Sequence, residues 1–173
     1  MVAYVVDSNC FIHMGGMATT TILNDLKSAL KTMHVTKGVH GEIQNVRYQR
    51  WKNKPNLLNH IKPLLTTHEI SDDQIRGLGA KIGERASPQD VDLSLMVLAY
   101  DMQREGHHVV LVTDDFKMAK ATEEHQLASE VCPPSTFFER LSTKAKGKHA
   151  SELRRLGRRI RAAEMQYAIS RRN

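Results

Sequence analysis

Short runs of apolar and β-branched residues alternate along this chain with helix-patterned stretches, and that alternation limits the fold more than any other feature. "VAYVV" (2–6), "MHVT" (33–36), "THEI" (67–70) and "HVVLV" (108–112) read as strands, and "ASEVCP" (128–133) carries a fifth. Residues 20–32 space Ile22, Leu23, Leu26 and Leu30 helically, and 39–51 and 72–85 also read as helices. "SPQDVDLSLMVLAYDMQREG" is the clearest helix, with Ser87 as N-cap, Pro88 as first residue, Asp90 as capping acid and Gly106 as stop. Strands separated by helices predict an α/β fold: a mostly parallel five-stranded sheet with helices on both faces, a three-layer α/β/α sandwich.

In such sheets the site lies beyond the carboxyl ends of the strands, where the strand order reverses. Acids stand at that edge. Asp7 follows the first strand, and Asp114 and Asp115 follow the fourth. Asp92 sits in the central helix among Val91, Leu93 and Leu95, with Met96 and Ala99 on its own face, so partial burial is expected. A buried carboxylate is costly unless it is paired or binds a cation. Glu42 lies one turn inside the helix after the second strand. Each acid alone has an ordinary explanation, a turn, a cap or a solvated face. Gathered together, and with no obvious basic partner, they would repel unless a hard cation neutralised them. Magnesium or manganese, one or two ions, suits such an all-oxygen set better than zinc.

Other chemistries find no support. Two cysteines supply neither a disulfide framework nor a four-cysteine zinc site. No Gly-rich phosphate loop or Gly-x-Ser-x-Gly elbow is present. An acidic pair follows the fourth strand rather than the first, unlike a phosphoryl-accepting receiver domain, and "DSN" lacks the second acid of a haloacid-dehalogenase-type phosphatase. The chain has 173 residues, enough for one domain with a real core. No stretch approaches the roughly 20 apolar residues of a membrane helix. The N-terminus has no charged leader, so no signal peptide and no membrane are expected, and the cytoplasm is the expected location.

The net charge of +6 is unevenly spread: residues 139–173 hold eleven Lys/Arg against three acids, while the rest holds fourteen against sixteen. A slightly acidic body with a basic tail is either a polyanion-binding protein or one with a solvated helix face. The tail reads as a Lys-rich hinge, "TKAKGK", before a helix over 149–170 with an apolar stripe of Leu153, Leu156, Ile160, Ala163 and Tyr167. Expected organisation is therefore a domain over 1–140 and a basic linker and helical extension over 141–173. A second basic stretch, "VRYQRWKNK", interleaves Arg47, Arg50, Lys52 and Lys54 with Tyr48 and Trp51, a pattern that holds single-stranded RNA by phosphate contacts and base stacking; Trp51 is equally readable as a core anchor. Arg154, Arg155, Arg158, Arg159 and Arg161 offer further phosphate contacts, and the apolar stripe offers a homodimer contact.

"VVDSN", "HVTKGVHGEI", "DLSLMVLAYDM" and "LVTDDF", in that order and spacing over roughly 1–140, resemble the PIN-domain ribonucleases. That resemblance implies a metal-dependent endoribonuclease that hydrolyses RNA phosphodiesters, leaving a 3′-hydroxyl and a 5′-phosphate. The family's acidic quartet falls on Asp7, Glu42, Asp92 and Asp115, with Asp114 assisting. Asp7 and Asp115 are implied as direct metal ligands, Glu42 and Asp92 as completing the shell or acting through metal-bound water. Ser8 or Asn9 would position a ligand or the phosphate, and Thr113 would bond a carboxylate. "IRGLGAKIGERASPQDVDLSLMVLAYDM" is most similar to the archaeal Nob-type enzymes, which implies processing of a ribosomal precursor, although their zinc ribbon is missing here. Alternatives are protein-only RNase P relatives acting on tRNA, a VapC-type toxin with an antitoxin partner, and a non-catalytic RNA-binding assembly factor.

Overall fold

A computed structural model describes residues 1–83 and 88–172. Its sheet has five strands, β1 (Val2–Val6), β2 (Met33–Thr36), β3 (Leu65–His68), β4 (His108–Val112) and β5 (Glu130–Cys132), all parallel, in the order β3-β2-β1-β4-β5. Helices cover both faces, giving the expected three-layer α/β/α sandwich. Strands buried on both faces must be apolar at nearly every position. Val5, Val6, Leu111 and Val112 accordingly have no or almost no exposed surface.

The chain winds outward from β1 through β2 to β3, then returns to lay β4 against the other side of β1. The strand order therefore reverses between β1 and β4. Their register, Val2 beside His108 through Val6 beside Val112, ends both strands at one level, so Asp7 and Thr113 leave the sheet side by side. The Asp7 N–H continues the ladder to the Val112 carbonyl (3.0 Å), and Thr113 N–H reaches Cys132 (2.9 Å).

Helices start where polar side chains satisfy their free N–H groups. Asp7 opens α1 (Ser8–Met17), Thr36 opens α3 (Lys37–Ile43), and a Ser71–Gln74 capping box opens α5 (Asp72–Ile82). Two short helices, α2 (Ile22–Lys27) and α4 (Leu57–Ile61), fill the connections. Helix α6 (Asp90–Arg104) lies across β1, β2 and β4 and buries Leu95, Met96 and Ala99. Gly106, at φ 97°, ends its C-terminal turn as expected. Asp115 opens α7 (Phe116–Glu124), and α8 (Pro134–Lys144) sets Phe137 edge-on to Tyr4.

Several expectations need correction. The helix expected over 39–51 stops at Ile43, because Tyr48 is drawn into the core and residues 47–56 close on themselves through the Arg47–Asn56 bridge. The helix expected over 20–32 shrinks to α2, and the third strand begins two residues earlier than "THEI". Central helix α6 begins at Asp90 with Gln89 as its cap, so Pro88 is not helical; Ser87 lies outside the described residues. The final helix, α9 (Lys148–Arg172), is no appendage. Leu153, Leu156 and Ile160 join the core and pack α9 on α8, α2 and α1, and the boundary expected at 140 falls inside α8. Only a tight turn at Ala145–Gly147, with Gly147 at φ 59°, remains of the Lys-rich hinge. The stripe ends at Ile160, since Tyr167 is 60% exposed.

Candidate active site

Asp7 is 4% exposed at the reversal point. Its Oδ1 accepts from the Ser8 N–H at 2.7 Å and from the Ser8 hydroxyl at 3.3 Å, while Oδ2 accepts from the Thr113 hydroxyl at 2.9 Å. Burial pushes the carboxyl above its usual range; the Thr113 and Ser8 hydrogen bonds offset this in part, and the Asp114 charge adds to the rise. Thr113 Oγ1 also accepts the Asp115 N–H at 3.0 Å. One threonine thereby fixes both strand-end acids. Asp115 spends Oδ1 on the Met118 N–H at 3.0 Å.

Asp92 sits in the first turn of α6, half-buried, with its carboxyl pushed up to about 6. Burial is the largest cause, followed by the charges of Asp7 and Asp115; a backbone hydrogen bond at Gln89 opposes, and Glu42 adds a last increment. Glu42, exposed on α3, is raised by burial and by Asp7. Asp92 thus lies in the field of Asp7, Asp115 and Glu42, and Glu42 in that of Asp7; none of the four forms an ion pair with a described basic side chain. They do not form a tight cage. Among the described residues, the set that brings three ligand atoms within 4.8 Å of one another is His13, Asp114 and Glu164.

That acidic cluster, able to hold a metal ion, is where Asp114 belongs. It accepts from Asn9 Nδ2 at 2.8 Å and lies 3.3 Å from His13 Nε2. Burial raises its carboxyl, but the His13 and Asn9 bonds outweigh burial and hold it below the usual range. Glu164 reaches in from α9, anchored by the Ser135 N–H (3.2 Å) and hydroxyl (2.6 Å) at the start of α8. Asp114 is therefore bonded to Asn9 and His13 while its charge still acts on Asp7, and Asn9 holds Asp114 rather than standing free to position a phosphate. Ser8 and Thr113 both bond Asp7. Neither His13 nor Glu164 stood out in the sequence, since one lies within the unrecognised helix α1 and the other stands on an arginine-rich helix.

The basic stretches divide in the same way. Tyr48 is fully buried, with its hydroxyl 2.6 Å from His60 Nδ1, and burial raises its phenol further. Trp51 stacks on it with centroids 4.4 Å apart and meets the His60 edge, so this ring is the core anchor. Arg50, Lys52 and Lys54 are exposed, and Arg47 donates to the Lys54 carbonyl (3.2 Å). On α9, Arg161 is locked to Glu139 by two bonds of 3.0 and 2.6 Å, and Arg155 meets Glu152 at 3.4 Å. Arg154, Arg158 and Arg159 are exposed and have no ion-pair partner among the described residues.

Among the described residues no helix is long and apolar enough to cross a membrane. Comparison with protein-family models, curated proteins and solved structures returns no match.

Proposed function

We propose that the chain is a PIN-type endoribonuclease using Mg²⁺ or Mn²⁺. The carrying observation is the β1–β4 register, which sets Asp7 beside Thr113 and Asp115 at the reversal point, within the field of Asp92 and Glu42. The donor set fits a hard divalent ion: every donor is a carboxylate oxygen, and none has an ion-pair partner among the described residues. Spacing too loose for a tight cage suits an ion that keeps several waters and takes one or two carboxylates directly. When bound, such an ion polarises a phosphodiester oxygen and lowers the pKa of an attacking water.

Asp115 would bind through Oδ2, since Oδ1 serves as the α7 cap, and Asp7 through the lone pairs its hydrogen bonds leave. Asp92, with a carboxyl near 6, is suited to accept a proton from water at neutral pH. Glu42 would complete the shell or act through metal-bound water. Arg154, Arg158 and Arg159, with Arg50, Lys52 and Lys54, would hold RNA phosphates away from the repelling acids. Precursors of rRNA or tRNA are the substrates that the motif resemblance favours.

Incubating end-labelled single-stranded RNA with Mn²⁺ tests this reading. Cleavage abolished by EDTA and by Asp92→Asn, in a variant with unchanged circular dichroism, is expected. Cleavage that survives both would overturn it, and binding without cleavage would establish the RNA-binding assembly factor instead.

A further inference from the structure

Three of the four phenylalanines, Phe11, Phe137 and Phe138, are fully buried, whereas Phe116 is 71% exposed. It is also the residue directly after Asp115. The Asp115 cap makes it the first residue of α7, and the Thr113 hydroxyl holds the preceding N–H, so the backbone that presents the ring is fixed from both sides. Consecutive Cα atoms lie about 3.8 Å apart, which puts the ring within one residue of a proposed ion ligand.

We infer that Phe116 is the stacking platform for an unpaired nucleobase next to the scissile phosphate; the inference rests on the ribonuclease reading. Charge favours such a contact. The carboxylate edge repels phosphates, and the arginines and lysines proposed to hold RNA stand on α9 and the 47–56 loop, while on α7 the exposed Lys117 follows the ring and can meet a phosphate beside it. A neutral aromatic face can hold RNA at that point without opposing the field. Stacking reads no particular base, because every base has a π-face. The aromatic residues expected for this task, Tyr48 and Trp51, are stacked on each other instead. The substrate class that follows is RNA with an unpaired nucleotide at the cut, since a base held inside a continuous duplex cannot reach the ring.

The test compares wild type with Phe116→Ala, Phe116→Leu and Phe116→Tyr on a single-stranded RNA oligonucleotide in Mn²⁺, with a series carrying one abasic nucleotide at each position. Phe116→Ala is expected to raise KM about 5- to 100-fold, more than it lowers kcat. Phe116→Tyr should restore KM and Phe116→Leu should not. One abasic position beside the cut should weaken wild type without weakening Phe116→Ala further. An unchanged KM in Phe116→Ala, or full rescue by leucine, overturns the inference while leaving the nuclease reading intact. Wild type that binds without cutting overturns the nuclease reading, and the same comparison made on Kd then judges the stacking. Wild type that neither binds nor cuts overturns both.

Discussion

Thr113 donates its hydroxyl to Asp7 Oδ2 at 2.9 Å, joining the ends of two strands that lie 106 residues apart in the chain. The same oxygen accepts the Asp115 N–H, so one side chain sets the relative position of two proposed ion ligands. Thr113→Val keeps the shape and removes both bonds. Stranding these buried groups should cost about 1–3 kcal/mol in urea denaturation, and the loosened acids should slow cleavage about 10- to 100-fold. Thr113→Ser should keep both properties near wild type.

Asp92 should weaken the fold at neutral pH. Its carboxyl lies at about 6, above the ordinary value of 3.8, so the folded state holds the proton more tightly than the unfolded chain. The associated stability is present below pH 4 and lost as pH rises through 6. Asp92→Asn removes that loss. After discounting for its half-exposed position the gain is about 1 kcal/mol, or roughly 2–4 °C in Tm. Differential scanning calorimetry at pH 7 in metal-free buffer should show the variant melting higher while its cleavage is abolished.

Acid should act oppositely through His34 and His68, whose rings meet at 2.9 Å between Nδ1 and Nε2. Burial lowers both, with the His68 charge adding at His34 and Glu105 opposing at His68. Unfolding frees them to protonate near 6.5. Stability from this pair is therefore present above about pH 6.5 and lost as pH falls through the lowered values. The urea midpoint should drop between pH 7.5 and 5, and His34→Gln should flatten that drop.

Helix α9 carries two separable roles. Deleting 149–173 strips Leu153, Leu156 and Ile160 from the core and the His149–Asp25 contact of 2.6 Å, so the truncated chain should fail to fold. Leu153→Ala alone should cost about 2–5 kcal/mol. Replacing Arg154, Arg158 and Arg159 together by Gln should leave Tm unchanged. It should lower the slope of log K against log salt by about 0.7 for each phosphate that the variant no longer neutralises.

The sheet and the acids could be read from the sequence because both depend on local pattern. β1 and β4 are continuous apolar runs, and an acid straight after such a run has few places to go. Asp114 and Asp115 looked interchangeable, and only the α7 cap and the reach of Asn9 and His13 separate them. Spacing left Trp51 readable either as an RNA-stacking ring or as a core anchor, because its packing with Tyr48 depends on His60 and the closure of 47–56, an interaction across the loop that no spacing rule reveals. The polar face of α9 concealed its core role, since each buried leucine has an arginine beside it. Phe116 carried no signal at all, because exposure is a property of the folded surface.

Titration calorimetry of Mn²⁺ into the protein at pH 6, in buffers of different ionisation enthalpy, is the most direct test of one shared carboxylate site. Ligand carboxylates must give up their protons to bind, and Asp92 is partly protonated at that pH. Wild type should bind the ion and release protons, and Asp92→Asn should bind more weakly and release fewer. Absence of binding, or binding that Asp92→Asn leaves unchanged and His13→Ala removes, would place the ion elsewhere and contradict the account.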